Sequence, residues 1–284
     1  MVDHPTPPPF TADTTATDAL TAQEREARSF GFRAINPAEK APLVQGVFSS
    51  VASRYDIMND LMSVGIHRLW KADFVSLVNP RAGETILDVA GGTGDIAFRM
   101  AAKAPAARIM VCDLTEAMVR VGRDRGIDKG SMPGWDKTPE TRGGLPTGGL
   151  QWTVGNAESL PLPNRSVDAY TIAFGLRNVT HIDKALAEAY RVLKPGGRFY
   201  CLEFSQVNLP ILRELYDRYS FEVLPRIGQV VAGDRDSYQY LVESIRRFPE
   251  REALCRRLEA VGFSQAKARP LTGGVAAIHS AWRV

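Results

Sequence analysis

Leu87-Asp88-Val89-Ala90-Gly91-Gly92-Thr93-Gly94-Asp95 joins an apolar run to a helical pattern through a glycine-rich turn. Glu84 to Ala90 reads as a buried strand carrying Asp88 near its end, and Asp95 to Lys103 as the helix that follows. Gly92 and Gly94 let a ligand approach the backbone, and the first turn of that helix offers unpaired N–H groups. Open α/β sheets bind ligands at such junctions, beyond the carboxyl ends of their strands. Asp113 lies 19 positions past Gly94 and closes the next apolar run, Arg108 to Cys112. A carboxylate there can accept hydrogen bonds from both hydroxyls of an adenosine ribose, so strand, turn, helix, strand and acid in this order predict a nucleoside site.

Spacing leaves the nucleoside open, because Gly92-x-Gly94-x-x-Ala97 also satisfies the loose dinucleotide pattern of NAD enzymes. Charge separates the two. A pyrophosphate favours bare N–H groups and cations, whereas Asp88 and Asp95 surround this loop with negative charge. A sulfonium bearing an ammonium group suits that setting better, which places S-adenosylmethionine ahead of NAD.

Working outward, strand and helix patterns alternate and predict an α/β sheet with helices on its faces. A helix opens near Thr115 and Glu116; strands follow at Leu150 to Val154 and Val167 to Ile172, then a helix from Ile182 to Leu193 with Thr180 and Asp183 as a capping box. Lys194-Pro195-Gly196-Gly197 is read as the stop of that helix, before a strand at Arg198 to Glu203. Phe263 to Leu271 and Val275 to Arg283, about Thr272-Gly273-Gly274, form a closing antiparallel hairpin. Residues 1–30 hold Pro5, Pro7, Pro8 and Pro9 and few large apolar side chains, so a disordered extension is expected. Gly126 to Gly149 reads as a surface insertion.

Composition excludes other classes. In 284 residues, Lys+Arg 35 against Asp+Glu 32 gives a net charge of +3, with no excess that would suit nucleic acid. Cys112, Cys201 and Cys255 are too scattered for a disulfide framework and fit a reducing cytoplasm; four dispersed histidines offer no metal site. No apolar run reaches the roughly 18 residues of a membrane span.

Longer strings carry a resemblance. Tyr55-Asp56-Ile57-Met58-Asn59 followed by Ser63, His67 and Trp70 resembles the N-terminal signature of the ubiquinone/menaquinone biosynthesis C-methyltransferase family. Arg191 to Gly197, continuing to Leu202-Glu203-Phe204-Ser205, is similar to its second signature, and Phe174-Gly175-Leu176-Arg177-Asn178-Val179-Thr180 with Asp234, Ser237 and Tyr238 extends the match. The resemblance covers residue 40 to the C-terminus apart from the insertion. It implies a Rossmann-like class I methyltransferase domain, with a mostly parallel seven-stranded sheet, S-adenosylmethionine as methyl donor, and a polyprenyl benzoquinol or naphthoquinol as acceptor. It also implies cofactor contacts from Gly92, Thr93 and Asp113, with Asn156 and Ala157 flanking the adenine. Ala173 stands where the family often has Ser.

Carbon methylation needs the electron-rich quinol. Arg177 stays protonated and would stabilise a developing phenolate, while Asn178 would orient the hydroxyl or a water. Tyr55 and His67 are read as substrate-side residues, the first stacking and the second relaying a proton or packing; His181 is read as serving a helix start. Pro210 to Leu224 is an amphipathic helix, either packed on the core or acting as a lid at a membrane surface. Contact with the inner membrane would be peripheral, and a homodimer or a quinone-synthesis complex is compatible with the resemblance. A scaffold role without catalysis is the remaining alternative. Asp113→Ala is expected to weaken S-adenosylmethionine binding by about 1.5–3 kcal/mol through loss of charge-assisted bonds, measured by isothermal titration calorimetry.

Overall fold

The computed structural model describes residues 21–51, 60, 63, 65–130, 149–205 and 235–284. In chain order the elements are α1 (Ala22–Ala27), β1 (Ser29–Phe30), β2 (Arg33–Ala34), α2 (Pro37–Val51), α3 (His67–Val78), β3 (Thr85–Val89), α4 (Asp95–Lys103), β4 (Arg108–Asp113), α5 (Glu116–Asp128) and β5 (Gly149–Val154). They continue with β6 (Val167–Ala173), α6 (Ile182–Val192), β7 (Leu193–Phe204), α7 (Arg235–Arg247), α8 (Arg251–Val261), β8 (Ser264–Leu271) and β9 (Ala276–Trp282).

Seven strands form one sheet in the order β5-β4-β3-β6-β7-β9-β8. β3 pairs in parallel with β4 and β6, and β9 runs antiparallel between β7 and β8. The predicted α/β architecture and its C-terminal hairpin are therefore present. All five residues of β3 are buried, as a strand covered on both faces requires. Side-chain alternation then serves two cores. Ile86, Ile109 and Leu202 pack with Phe74 of α3, Met100 of α4 and Leu241 of α7. Leu87, Tyr170 and Phe199 face Leu186 of α6 and Leu254 of α8 on the other side. Each such fully buried side chain contributes about 1.5–3 kcal/mol.

Connections from β3 run to β4 on one side and, later in the chain, to β6 on the other, so the strand order reverses at β3. That reversal opens a crevice at the carboxyl ends of β3, β4 and β6.

Several expectations change. Thr21 caps α1, accepting from the Glu24 N–H at 3.2 Å while the Glu24 carboxylate accepts from the Thr21 N–H at 2.8 Å. Arg257 of α8 donates to both Glu26 carboxylate oxygens, at 2.8 and 2.7 Å, so residues 21–30 are ordered where disorder was expected. α5 runs on to Asp128, into the start of the expected insertion. The capping box of α6 is absent; instead the Glu158 carboxylate accepts from the N–H groups of Thr180 and His181, at 3.1 and 3.0 Å. α6 also ends before Lys194-Pro195-Gly196-Gly197, because Leu193 already turns extended and pairs with Val167; those four residues form a bulge in β7 before Arg198 pairs with Ala169. The helix read at 210–224, most of the insertion, and residues 1–20 lie outside the described residues.

Gly94 has φ +85°, and an added Cβ would overlap the Trp152 indole. Gly94→Ala is expected to lower stability by about 1–3 kcal/mol through left-handed strain and overpacking, measured by urea unfolding.

Candidate active site

The crevice is an open cleft of about 740 Å³, counted with its mouth. Its floor comes from the ends of β3, β4 and β6, and Val44 and Phe48 of α2 line it as apolar cover. Gly92 lines the cleft with φ +56°, and an added Cβ there would meet nothing within 4 Å, so its backbone faces open space. Gly94, by contrast, is required by packing.

Asp113 is tied to both neighbouring loops. Its Oδ2 accepts from the Gly92 N–H and its Oδ1 from the Thr115 N–H, each at 2.8 Å. Burial raises its pKa against the lowering effect of these bonds. The Thr115 side chain also hydrogen-bonds this carboxylate. Asn156 and Ala157 line the same cleft, and Asn156 is held in a turn by accepting from the Glu158 N–H at 2.9 Å.

Thr93 and His67 fall elsewhere. Thr93 is 2% exposed, accepts from Arg125 at 3.0 Å, and lines a neighbouring polar cavity shared with His67. His67 is 3% exposed; its Nε2 meets Asp60 Oδ1 at 2.8 Å, its Nδ1 has no hydrogen-bond partner among the described residues, and burial pushes its pKa down. Tyr55 lies outside the described residues, as does Asp234.

The negative surroundings read for the glycine turn are largely cancelled. Asp95 bonds to Lys71 at 2.8 Å and to Arg99 at 2.9 Å. Asp88, 1% exposed and accepting from Thr171 at 2.7 Å, has its pKa pushed up to about 7, first by burial and then by Asp113 and Asp95. Local charge therefore does not separate a sulfonium from a pyrophosphate here.

Arg177 and Asn178 follow β6 in a short 3₁₀ turn, Leu176–Asn178. The Asn178 side chain belongs to a cleft-lining residue. Arg177 does not line that cleft: its Nη1 donates to Glu203 at 2.8 Å and to the Phe174 carbonyl at 2.6 Å, with both ionic side chains 1% exposed. Glu203 also accepts from the Arg177 N–H at 3.2 Å. Phe174, which does line the cleft, has φ +56°, a conformation costly for a side chain of its size. The Arg177 bond, with a longer one of 3.4 Å from Asn178 Nδ2, holds its carbonyl in that strained geometry.

Glu203 and Glu158 had no assigned role in the sequence. Glu203 had a readable signal, an acid inside the apolar strand Arg198 to Phe204, which demands a buried cation. Glu158, at the cleft edge, pairs with His181 Nδ1 at 2.8 Å. Among the described residues no group of three or more His, Cys, Asp or Glu is arranged to hold a metal.

A model of the ubiE/COQ5 methyltransferase family matches residues 36–283. The chain belongs to that family. It is similar to the ubiquinone/menaquinone biosynthesis C-methyltransferase of Paracoccus denitrificans, with 52% identity over 93% of this chain and 100% of the relative. A Brucella abortus relative of the same description is 51% identical over 95% of this chain and 96% of its own length. A SAM-dependent methyltransferase structure from Aquifex aeolicus, at 15% identity and TM-score 0.53, covers 75% of this chain and 89% of its own; one from Thermotoga maritima, at 18% and 0.54, covers 85% and 100%. These structures share the fold. The methyl donor of this family and fold is S-adenosyl-L-methionine, and the open Gly92 backbone beside the Asp113 carboxylate fits its ribose and amino-acid ends.

Arg177→Ala is expected to destabilise the chain by about 3–5 kcal/mol by stranding the Glu203 charge, measured by denaturant unfolding. Asp88 gives a pH test. Its folded pKa lies above the ordinary 3.8, so its stabilising effect is complete below about 4 and lost as pH rises to about 7. Asp88→Asn should flatten stability against pH across that window.

Proposed function

We propose that the chain transfers a methyl group from S-adenosylmethionine to a ring carbon of a reduced polyprenyl quinol precursor in ubiquinone or menaquinone biosynthesis. The observation that carries this reading is the 52% identity, over 93% of the chain, to a relative described as that C-methyltransferase.

S-adenosylmethionine supplies an electrophilic methyl carbon on a good leaving group. Gly92 would hold it by backbone approach, Asp113 by accepting from the ribose hydroxyls, and Asn156 and Ala157 beside the adenine. Val44, Phe48 and Met118 line the cleft with apolar surface that would exclude water. Loss of the phenolic proton would raise the nucleophilicity of the ring carbon. After the new C–C bond forms and the C–S bond breaks, the ring proton leaves to solvent and the phenolate takes a proton back, so one proton is released in all. Asn178 would orient the hydroxyl or the water that takes the first proton.

Arg177 has its charge spent on Glu203, so its role in this reading is to set Phe174 and Asn178 in place behind the cleft wall. Thr93 would act by anchoring the glycine turn to Arg125. His67 would serve as a packing residue through its bond to Asp60, and Tyr55 would stack on the substrate or cofactor. Among the described residues no helix is long and apolar enough to cross a membrane, and an isoprenoid substrate calls for reversible contact with the bilayer surface from the cytoplasm.

The test is methyl transfer by the purified chain to reduced benzoquinol and naphthoquinol analogues, with products read by mass spectrometry. Methylation of at least one ring at carbon is expected; no transfer to either would overturn the reading.

A further inference from the structure

We propose that Tyr240 is the positioning residue that sets the Asn178 amide for the quinol, and that the N-terminal hairpin holds Tyr240 in place; the proposal rests on the function just given. Tyr240 of α7 is 4% exposed, and its hydroxyl donates to Asn178 Oδ1 at 3.0 Å. On its other end, Asn178 Nδ2 reaches the Phe174 carbonyl at 3.4 Å. A primary amide has two N–H donors and two acceptor lone pairs. The wall therefore uses one of each, which leaves one donor and one acceptor for whatever occupies the cleft.

Rotation about the terminal bond of an Asn is soft and nearly two-fold, so the amide needs an external constraint to keep its oxygen and nitrogen from exchanging places. The Tyr240 hydroxyl supplies it. The Phe30 ring of β1 stacks on Tyr240 with centroids 4.0 Å apart and planes 14° apart. The Phe32 N–H then donates to Glu243, one turn further along α7, at 2.8 Å. Gly31 between them lies against Glu243 so closely that an added Cβ would overlap its carboxylate. These hairpin residues precede the 36–283 covered by the family model, so support for the site comes from outside the matched region.

Tyr240→Phe removes one oxygen and keeps the ring on Phe30. It is expected to lower kcat about tenfold, the worth of one hydrogen bond of roughly 1.4 kcal/mol, with S-adenosylmethionine affinity unchanged. In an Asn178→Ala background the same substitution should cost nothing further. Wild-type kcat in Tyr240→Phe, or an equal loss in both backgrounds, would overturn the proposal. A second readout needs no turnover. With nitrogen-15 confined to asparagine, the Asn178 side-chain amide resonances, assigned by their loss in Asn178→Ala, should move in Tyr240→Phe without substrate; unmoved resonances would also overturn it. A wild-type chain that methylates neither ring would sink the function while this spectrum still decides on Tyr240.

Discussion

The buried pair of Arg177 and Glu203 is the interaction on which the cleft wall depends. Two full charges are withdrawn from water, at a cost of several kcal/mol per ion unless geometry and extra hydrogen bonds offset it. The offset is visible: Glu203 also takes the backbone N–H groups of Arg177 and Phe204, and Arg177 gives a second bond to the Phe174 carbonyl. Burial pushes the Glu203 pKa up, and the Arg177 cation beside it opposes that shift. The pair joins the end of β7 to the turn after β6. Phe174 is thereby held in a backbone conformation that it would otherwise leave, with Phe204 against its ring at 4.9 Å.

From this pair the logic of the site runs in both directions. Toward solvent, Phe174 and Asn178 become cleft surface. Toward the interior, Trp70 of α3 approaches both Phe174 and Phe204, with centroids 6.5 and 5.9 Å away, and donates from its indole to Thr272 at 2.8 Å in the turn between β8 and β9. A change in the C-terminal hairpin is therefore felt at the wall of the cleft through one tryptophan.

The sheet and the placement of the glycine turn were legible in sequence because buried parallel strands announce themselves as short apolar runs. Asp113 lines the cleft for that reason, whereas Asn156 and Ala157, which line it too, were implied by the family resemblance. What could not be read are pairings made across the fold. Thr93 points to Arg125 on a different helix, and Asp95 is neutralised by Lys71, which belongs to α3, so the charge around the loop was misjudged from its own neighbours alone. Arg177 shows the same limit: its local string suggested a substrate contact, while its partner lies 26 residues away. The end of α6 matches the sequence reading to within one residue, but Lys194-Pro195-Gly196-Gly197 is a bulge inside β7, since Leu193 already pairs with Val167. Thr21-x-x-Glu24 was readable as a capping box, although the scarcity of large apolar side chains in residues 1–30 hid it.

The position of β9 has a consequence for how the chain folds. Residues 276–282 lie between β7 and β8, so the strand latest in the described chain is an interior member of the sheet. Until it is made, β7 presents an unpaired edge, and the hydrogen bonds that close the bulge, from Gly196 N–H to the Arg283 carbonyl and from Arg283 N–H to the Gly197 carbonyl, cannot form. A nascent chain lacking those residues would carry a sticky sheet margin on the ribosome. Completion of the sheet is thus timed to the end of synthesis of this segment.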